Sequence, residues 1–114
     1  MNCIFCKIAQ KEINTEILYE DADVIAFRDA NPIAPVHVLI IPKRHIPTID
    51  DLKETDEKLA GKIILTAQKL ARDLNISEKG YKLLFRVKEH GGQEIEHIHL
   101  HLLGGAPLIE KITW

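Results

Sequence analysis

No run of apolar residues in this 114-residue chain exceeds a few positions, so nothing in it is long enough to cross a bilayer as a helix. The start, MNCIFCKIAQKEIN, lacks the basic-then-apolar pattern of a secretory signal, and a cytoplasmic protein is expected. Cysteine is scarce: there are two, Cys3 and Cys6, in a C-x2-C spacing. In a reducing compartment such a pair favours metal binding or redox chemistry over a structural disulfide. Positive charge is not in excess either, with 15 Lys and Arg against 17 Asp and Glu and a net charge of −2. A basic face for nucleic acid is therefore not expected, whereas a small anionic ligand in a local pocket remains compatible. Repeats, low-complexity tracts and linkers are also missing. With 46% hydrophobic and 28% charged residues, the composition is that of one globular domain over residues 1–114.

What is present reads as alternating short elements. Ile4, Phe5 and Ile8 suit one face of a short helix within residues 3–12. EILYED and DVIAFRD read as a hairpin that turns at Asp21 to Asp23, and VHVLIIPKRH is a third strand after a proline-marked loop. Leu59, Ile63, Ala67, Leu70 and Leu74 recur at steps of three and four, which predicts one long helix from Thr55 to Leu74, capped by Thr55 or Asp56. YKLLFRV and HIHLHLLGG supply a fourth and a fifth strand. The expected fold class is α+β: a five-stranded antiparallel sheet with one long and one short helix.

The last strand is chemically unusual. Successive side chains of a strand point to opposite faces, so His97, His99 and His101 are expected on one side and Ile98, Leu100 and Leu102 on the other. Imidazole is a poor filler for a sheet face, and three in alternation point to a site. One metal held by all three is geometrically awkward, because same-face neighbours on a strand lie roughly 7 Å apart while zinc bonds are about 2 Å. A neutral imidazole is, however, nucleophilic near pH 7 and can carry a phosphoryl group covalently.

HIHLHLLGG resembles the His-φ-His-φ-His-φ-φ signature, with φ apolar, of the histidine triad (HIT) family. CIFCKI, AFRDANPIAPVHVLIIPKRHI and GGQEIEHIHLHLLGG are similar to that family in order and spacing, and the nearest branch is the Hint-like phosphoramidases, also called protein kinase C inhibitor-like proteins. The resemblance implies a HIT-like fold and a nucleotide hydrolase or transferase that cleaves purine nucleoside 5′-phosphoramidates. In it His99 attacks the α-phosphorus and forms a nucleotidyl-histidine that water hydrolyses. His101 then partners the phosphate and leaving group, His37 supports His99, and Gly91, Gly92 and Gln93 form the phosphate loop, where the Gln93 side chain is expected to act in catalysis by donating to a phosphoryl oxygen. Asp29 is matched to the ribose hydroxyls, and Ile4, Phe5, Ile8, Phe27 and Ala30 to the walls of the base pocket.

Two positions depart from the Hint pattern: Glu94 stands where Ser or Thr is usual, and Arg86 where Asn is usual. The two either pair with each other, or Arg86 meets an anionic leaving group. In some relatives a zinc is held by positions matching Cys3, Cys6, His45 and His97, which implies a structural zinc here; no organic cofactor is implied. The resemblance also implies a homodimer that joins through the long helix and fourth strand. Alternatives are a dinucleoside polyphosphate hydrolase and a nucleotide-binding adaptor with little turnover.

Overall fold

The computed structural model describes residues 3–114. Its elements are α1 (Ile4–Ala9), β1 (Ile17–Glu20), β2 (Val24–Arg28), β3 (Val36–Pro42), α2 (Glu57–Asp73), β4 (Lys82–Leu84) and β5 (Leu100–Gly104). All neighbouring strands are antiparallel, in the order β1-β2-β3-β5-β4. The expected α+β architecture is present, with one long helix and one short one.

Alternation along the strands creates two cores. Val24, Ala26, Val38, Ile40, Leu100 and Leu102 point to one face, where Ile63, Ala67, Leu70 and Ala71 of α2 cover them. Ile25, Phe27, Leu39 and Ile41 point to the other, where Phe5 and Ile8 of α1 meet them. Because α1 is so short, it covers only part of its face. His37 lies on β3 two residues from Leu39, and Leu39 pairs with His101, so both imidazoles occupy the α1 side beyond that helix.

Several elements begin or end elsewhere than the sequence pattern predicts. The long helix begins at Glu57 rather than Thr55, because Glu54–Asp56 form a separate 3-10 turn. Asp56 is its N-cap residue, but the carboxylate caps nothing on α2. It instead accepts from the Lys53 amide at 3.0 Å and from the Arg44 guanidinium at 2.6 Å. The fourth strand keeps ladder pairing only over Lys82–Leu84, and the fifth only from Leu100. His97 and His99 therefore precede the ladder, although all three triad histidines are buried. The segment is held there by other bonds: the Ile98 amide donates to the Ile46 carbonyl at 2.8 Å, and the His97 amide to Ile95 at 2.9 Å.

The loop before the triad depends on its glycines. Gly92 has φ +77°, a left-handed conformation that favours glycine, and a Cβ on Gly91 would run into the main chain of Val87.

Candidate active site

The tautomers of the histidines follow from main-chain groups whose hydrogen-bonding role is fixed. A peptide carbonyl only accepts, so the 2.8 Å contact between His99 Nδ1 and the His97 carbonyl places a proton on Nδ1. In the neutral ring Nε2 then carries the lone pair. A peptide N–H only donates, so the Ile33 amide, 3.2 Å from His37 Nδ1, makes that nitrogen an acceptor. The neutral His37 ring must then be protonated on Nε2, which sits 2.9 Å from His101 Nδ1 and 3.4 Å from Asp29 Oδ2. His101 Nδ1 accepts, which leaves its proton on Nε2. That atom is buried and has no hydrogen-bond partner among the described residues. An N–H so placed is ready to bind an oxygen that the protein itself does not supply.

Burial keeps these rings neutral. It pushes His37, His97 and His99 below the ordinary imidazole range, and it takes His101 furthest, to about 4. Asp29 opposes the shift at His37, His99 and His101, while the positive charge of Arg86 adds to it at all three. A nucleophile with a free lone pair thus stands beside a hydrogen-bond donor, the two rings 4.9 Å apart. That pairing suits attack on a centre whose oxygens bear negative charge.

Asp29, His37 and His101 also lie close enough to resemble a metal set. The tautomers argue against it, because a cation on His37 Nε2 would force a proton onto Nδ1, head-on to the Ile33 N–H.

The apolar residues matched to a base pocket divide. Phe5, Ile8 and Phe27 are buried in the α1-side core, with Phe5 edge-on to both Phe27 and the His99 ring, at 5.5 and 5.0 Å between centroids. Ile4 and Ala30 are exposed. Gln93 lies beside the site with its side chain committed elsewhere: Nε2 donates to the carbonyls of Pro47 and Ile95, and Oε1 accepts from the Lys88 amide. The expected donation to a phosphoryl oxygen thus meets an amide already occupied, and these bonds staple the loop. Arg86 and Glu94 are both exposed and, among the described residues, form no ion pair with each other, which removes the first of the two readings of these departures.

Cys3, Cys6, His45 and His97 gather at one end of α1. Cys3 Sγ is 3.3 Å and Cys6 Sγ 3.5 Å from His97 Nδ1, Cys6 Sγ is 3.2 Å from His45 Nδ1, and the two Nδ1 atoms are 3.3 Å apart. A tetrahedral ion with bonds of about 2.0–2.3 Å separates its ligands by roughly 3.3–3.8 Å, so the four donors fit one. His97 is oriented for it: Nε2–H donates to the Pro42 carbonyl at 2.7 Å, and Nδ1 is left as a lone pair. In the absence of a cation, burial pushes the Cys6 thiol up to about 11. The four residues form a Cys/His cluster capable of holding a metal.

Comparison with known proteins agrees with this geometry. Residues 10–108 match the family model of the HIT domain. The chain belongs to the HIT family. A purine nucleoside phosphoramidase of Escherichia coli K12 is 50% identical over 105 residues, which cover 92% of this HIT protein and 88% of the relative. A HIT family hydrolase from Legionella pneumophila superposes with a TM-score of 0.89 at 52% identity, over 99% of this chain and 97% of that one. A histidine triad protein from Clostridium difficile gives a TM-score of 0.94 at 37% identity, over 98% and 97%.

Sequence reasoning missed the groups that set the tautomers: the Ile33 amide and the carbonyls of Pro42 and His97. All three are main-chain atoms, and no residue type in a motif announces them.

Proposed function

We propose that this HIT protein is a nucleoside phosphoramidase that cleaves the P–N bond of purine nucleoside 5′-phosphoramidates through a covalent intermediate on His99. The reading rests on one observation above the others: the His99 Nδ1–H is held by the His97 carbonyl, so Nε2 is the nucleophilic atom. It is supported by the 50% identity to a protein named purine nucleoside phosphoramidase. His99 Nε2 forms a bond to the α-phosphorus as the P–N electron pair leaves with the amine, which takes a proton from solvent water as it departs. His101 Nε2–H binds a phosphoryl oxygen while negative charge builds there. Water then displaces His99 and releases the nucleoside monophosphate. His37 holds His101 in the donating tautomer, and Asp29 flanks His37 and receives the ribose hydroxyls. Phe5, Ile8 and Phe27, with Ile4 and Ala30 at the rim, border the base, and Gly92 and the Gln93 staple shape the phosphate loop.

The chain is read as a single HIT domain of the cytoplasm, and no helix in the described residues is long and apolar enough to cross a membrane. Zinc is the metal we assign to Cys3, Cys6, His45 and His97, since a two-thiolate, two-imidazole tetrahedron suits it. When bound it supplies structure, tying α1 to the segment that carries His99. The chain pairs as a homodimer. Ile64 and Leu65 on α2 and Leu83 on edge strand β4 are exposed apolar side chains where the resemblance places the interface, and a sedimentation mass of one chain would contradict it.

The function is tested by hydrolysis of adenosine 5′-phosphoramidate. His99→Asn should abolish turnover while nucleotide affinity stays within about tenfold, because binding is spread over base, ribose and phosphate contacts. Turnover retained by His99→Asn would refute the reading.

A further inference from the structure

Arg86 is the cation closest in register to the nucleophile, yet it neutralises nothing in the protein. Pairs across β4 and β5 join Lys82 to Leu103, Leu83 to Leu102 and Leu84 to His101. The ladder stops at the Leu84–His101 pair, two residues short of Arg86 and His99, and the same register extrapolated past its end would bring those two level on one face, in keeping with the Arg86 charge that acts on the His99 ring. The loop comes close as well, since the guanidinium Nη1 lies 3.7 Å from where a Cβ on Gly92 would be. Arg86 is exposed and, among the described residues, has neither an ion pair nor a hydrogen bond.

The sheet order says which part of a substrate this cation meets. Asp29 and Phe27 are on β2 or its end, Phe5 is on α1, and α1 packs over β2 and β3. The nucleoside therefore has its groups on the β2 flank, and the phosphorus lies at His99 and His101. Arg86 stands on the opposite flank, at β4. What remains for that side is the group bound to phosphorus that is not the nucleoside.

We propose that Arg86 is a specificity-determining residue that selects leaving groups carrying an anion, a carboxylate or a phosphate, by a charged hydrogen bond from its guanidinium. The proposal rests on the phosphoramidase reading and names the substrate class within it. Glu94 is also exposed near the site, so the guanidinium must outweigh a neighbouring carboxylate, and its planar fork of donors suits a two-oxygen acceptor.

The test uses three adenosine 5′-phosphoramidates that share the same P–N bond, with glycinamide, glycine and aminomethylphosphonate as leaving amines. The intact protein should show a higher kcat/KM for the glycine or phosphonate conjugate than for the glycinamide conjugate. In Arg86→Asn that ratio should fall roughly ten- to hundredfold, the loss of one charged hydrogen bond, and Arg86→Lys should recover part of it. The larger fall identifies carboxylate or phosphate as the anion preferred. A purely structural role for Arg86 would lower all three rates together and leave the ratios unmoved. Unchanged ratios for both anionic conjugates overturn the proposal. Failure to cleave any of the three by the intact protein would instead overturn the phosphoramidase reading, so the two failures are distinguishable.

Discussion

Acidification should destabilise this protein in a window set by His101. Its imidazole is about nine-tenths buried, with 9% relative exposure, and burial first, then the nearby His99, His37 and Arg86, takes its pKa to about 4 from the ordinary 6.5. The folded chain therefore keeps the ring neutral at pH values where the unfolded chain has already protonated it. As pH falls through 6.5 the unfolded state gains the proton and stability declines; below 4 both states are protonated and the loss is complete. At 1.36 kcal/mol for each pKa unit, the loss is about 3 kcal/mol, a large share of a typical domain's stability. Because His37, His97 and His99 are depressed in the same direction, the contribution must be isolated by difference. Urea unfolding of the intact protein and of His101→Gln, from pH 7.5 to pH 4, does this. The gap between the two stability curves should change by about 3 kcal/mol, with the variant losing less on acidification. Parallel curves, or a His101 ring resonance that titrates near the ordinary 6.5, would show that burial does not hold this ring neutral.

If the Cys/His cluster holds zinc, protein purified without chelator should carry about one metal ion per chain, and Cys3→Ser should lower both metal content and melting temperature; metal-free protein in elemental analysis would contradict this. Glycine substitutions should have opposite signs at two places. Gly61 lies inside α2, and beyond its chain neighbours and the backbone of its own helix no atom comes within 4 Å of where an added methyl would sit, so Gly61→Ala should gain about 0.5–1 kcal/mol. Gly91→Ala must instead displace the Val87 main chain and should destabilise the loop, and differential scanning calorimetry reads both changes.

Much of the fold was legible because hydrophobic periodicity carries it. The steps of three and four from Leu59 to Leu70 mark α2, and the doubly apolar VHVLII marks a strand buried on both faces, as β3 is. The ends were less legible. The start of α2 moved because the Asp56 carboxylate is taken by Arg44 and by the Lys53 amide, and a partner distant in sequence leaves no local trace. The triad strand is shorter than its alternation implies for a similar reason: His97 is drawn into the Cys3, Cys6 and His45 cluster, and ladder pairing begins only at Leu100. Spacing alone placed three histidines in one row, whereas the structure divides them between two chemistries. His97 faces the cysteines, and His99 and His101 stay beside His37.

The proposed chemistry turns on a covalent bond between the α-phosphorus and one nitrogen of one residue. It is tested most directly by mass spectrometry of protein mixed briefly with adenosine 5′-phosphoramidate and quenched in alkaline denaturant, where a phosphorus–histidine bond survives. A single adenylyl group should appear on the peptide that contains His99, attached at Nε2, lost on exposure to acid and absent from His99→Asn. Steady turnover with no adduct, or an adduct carried by His37, His101 or another residue, would contradict it.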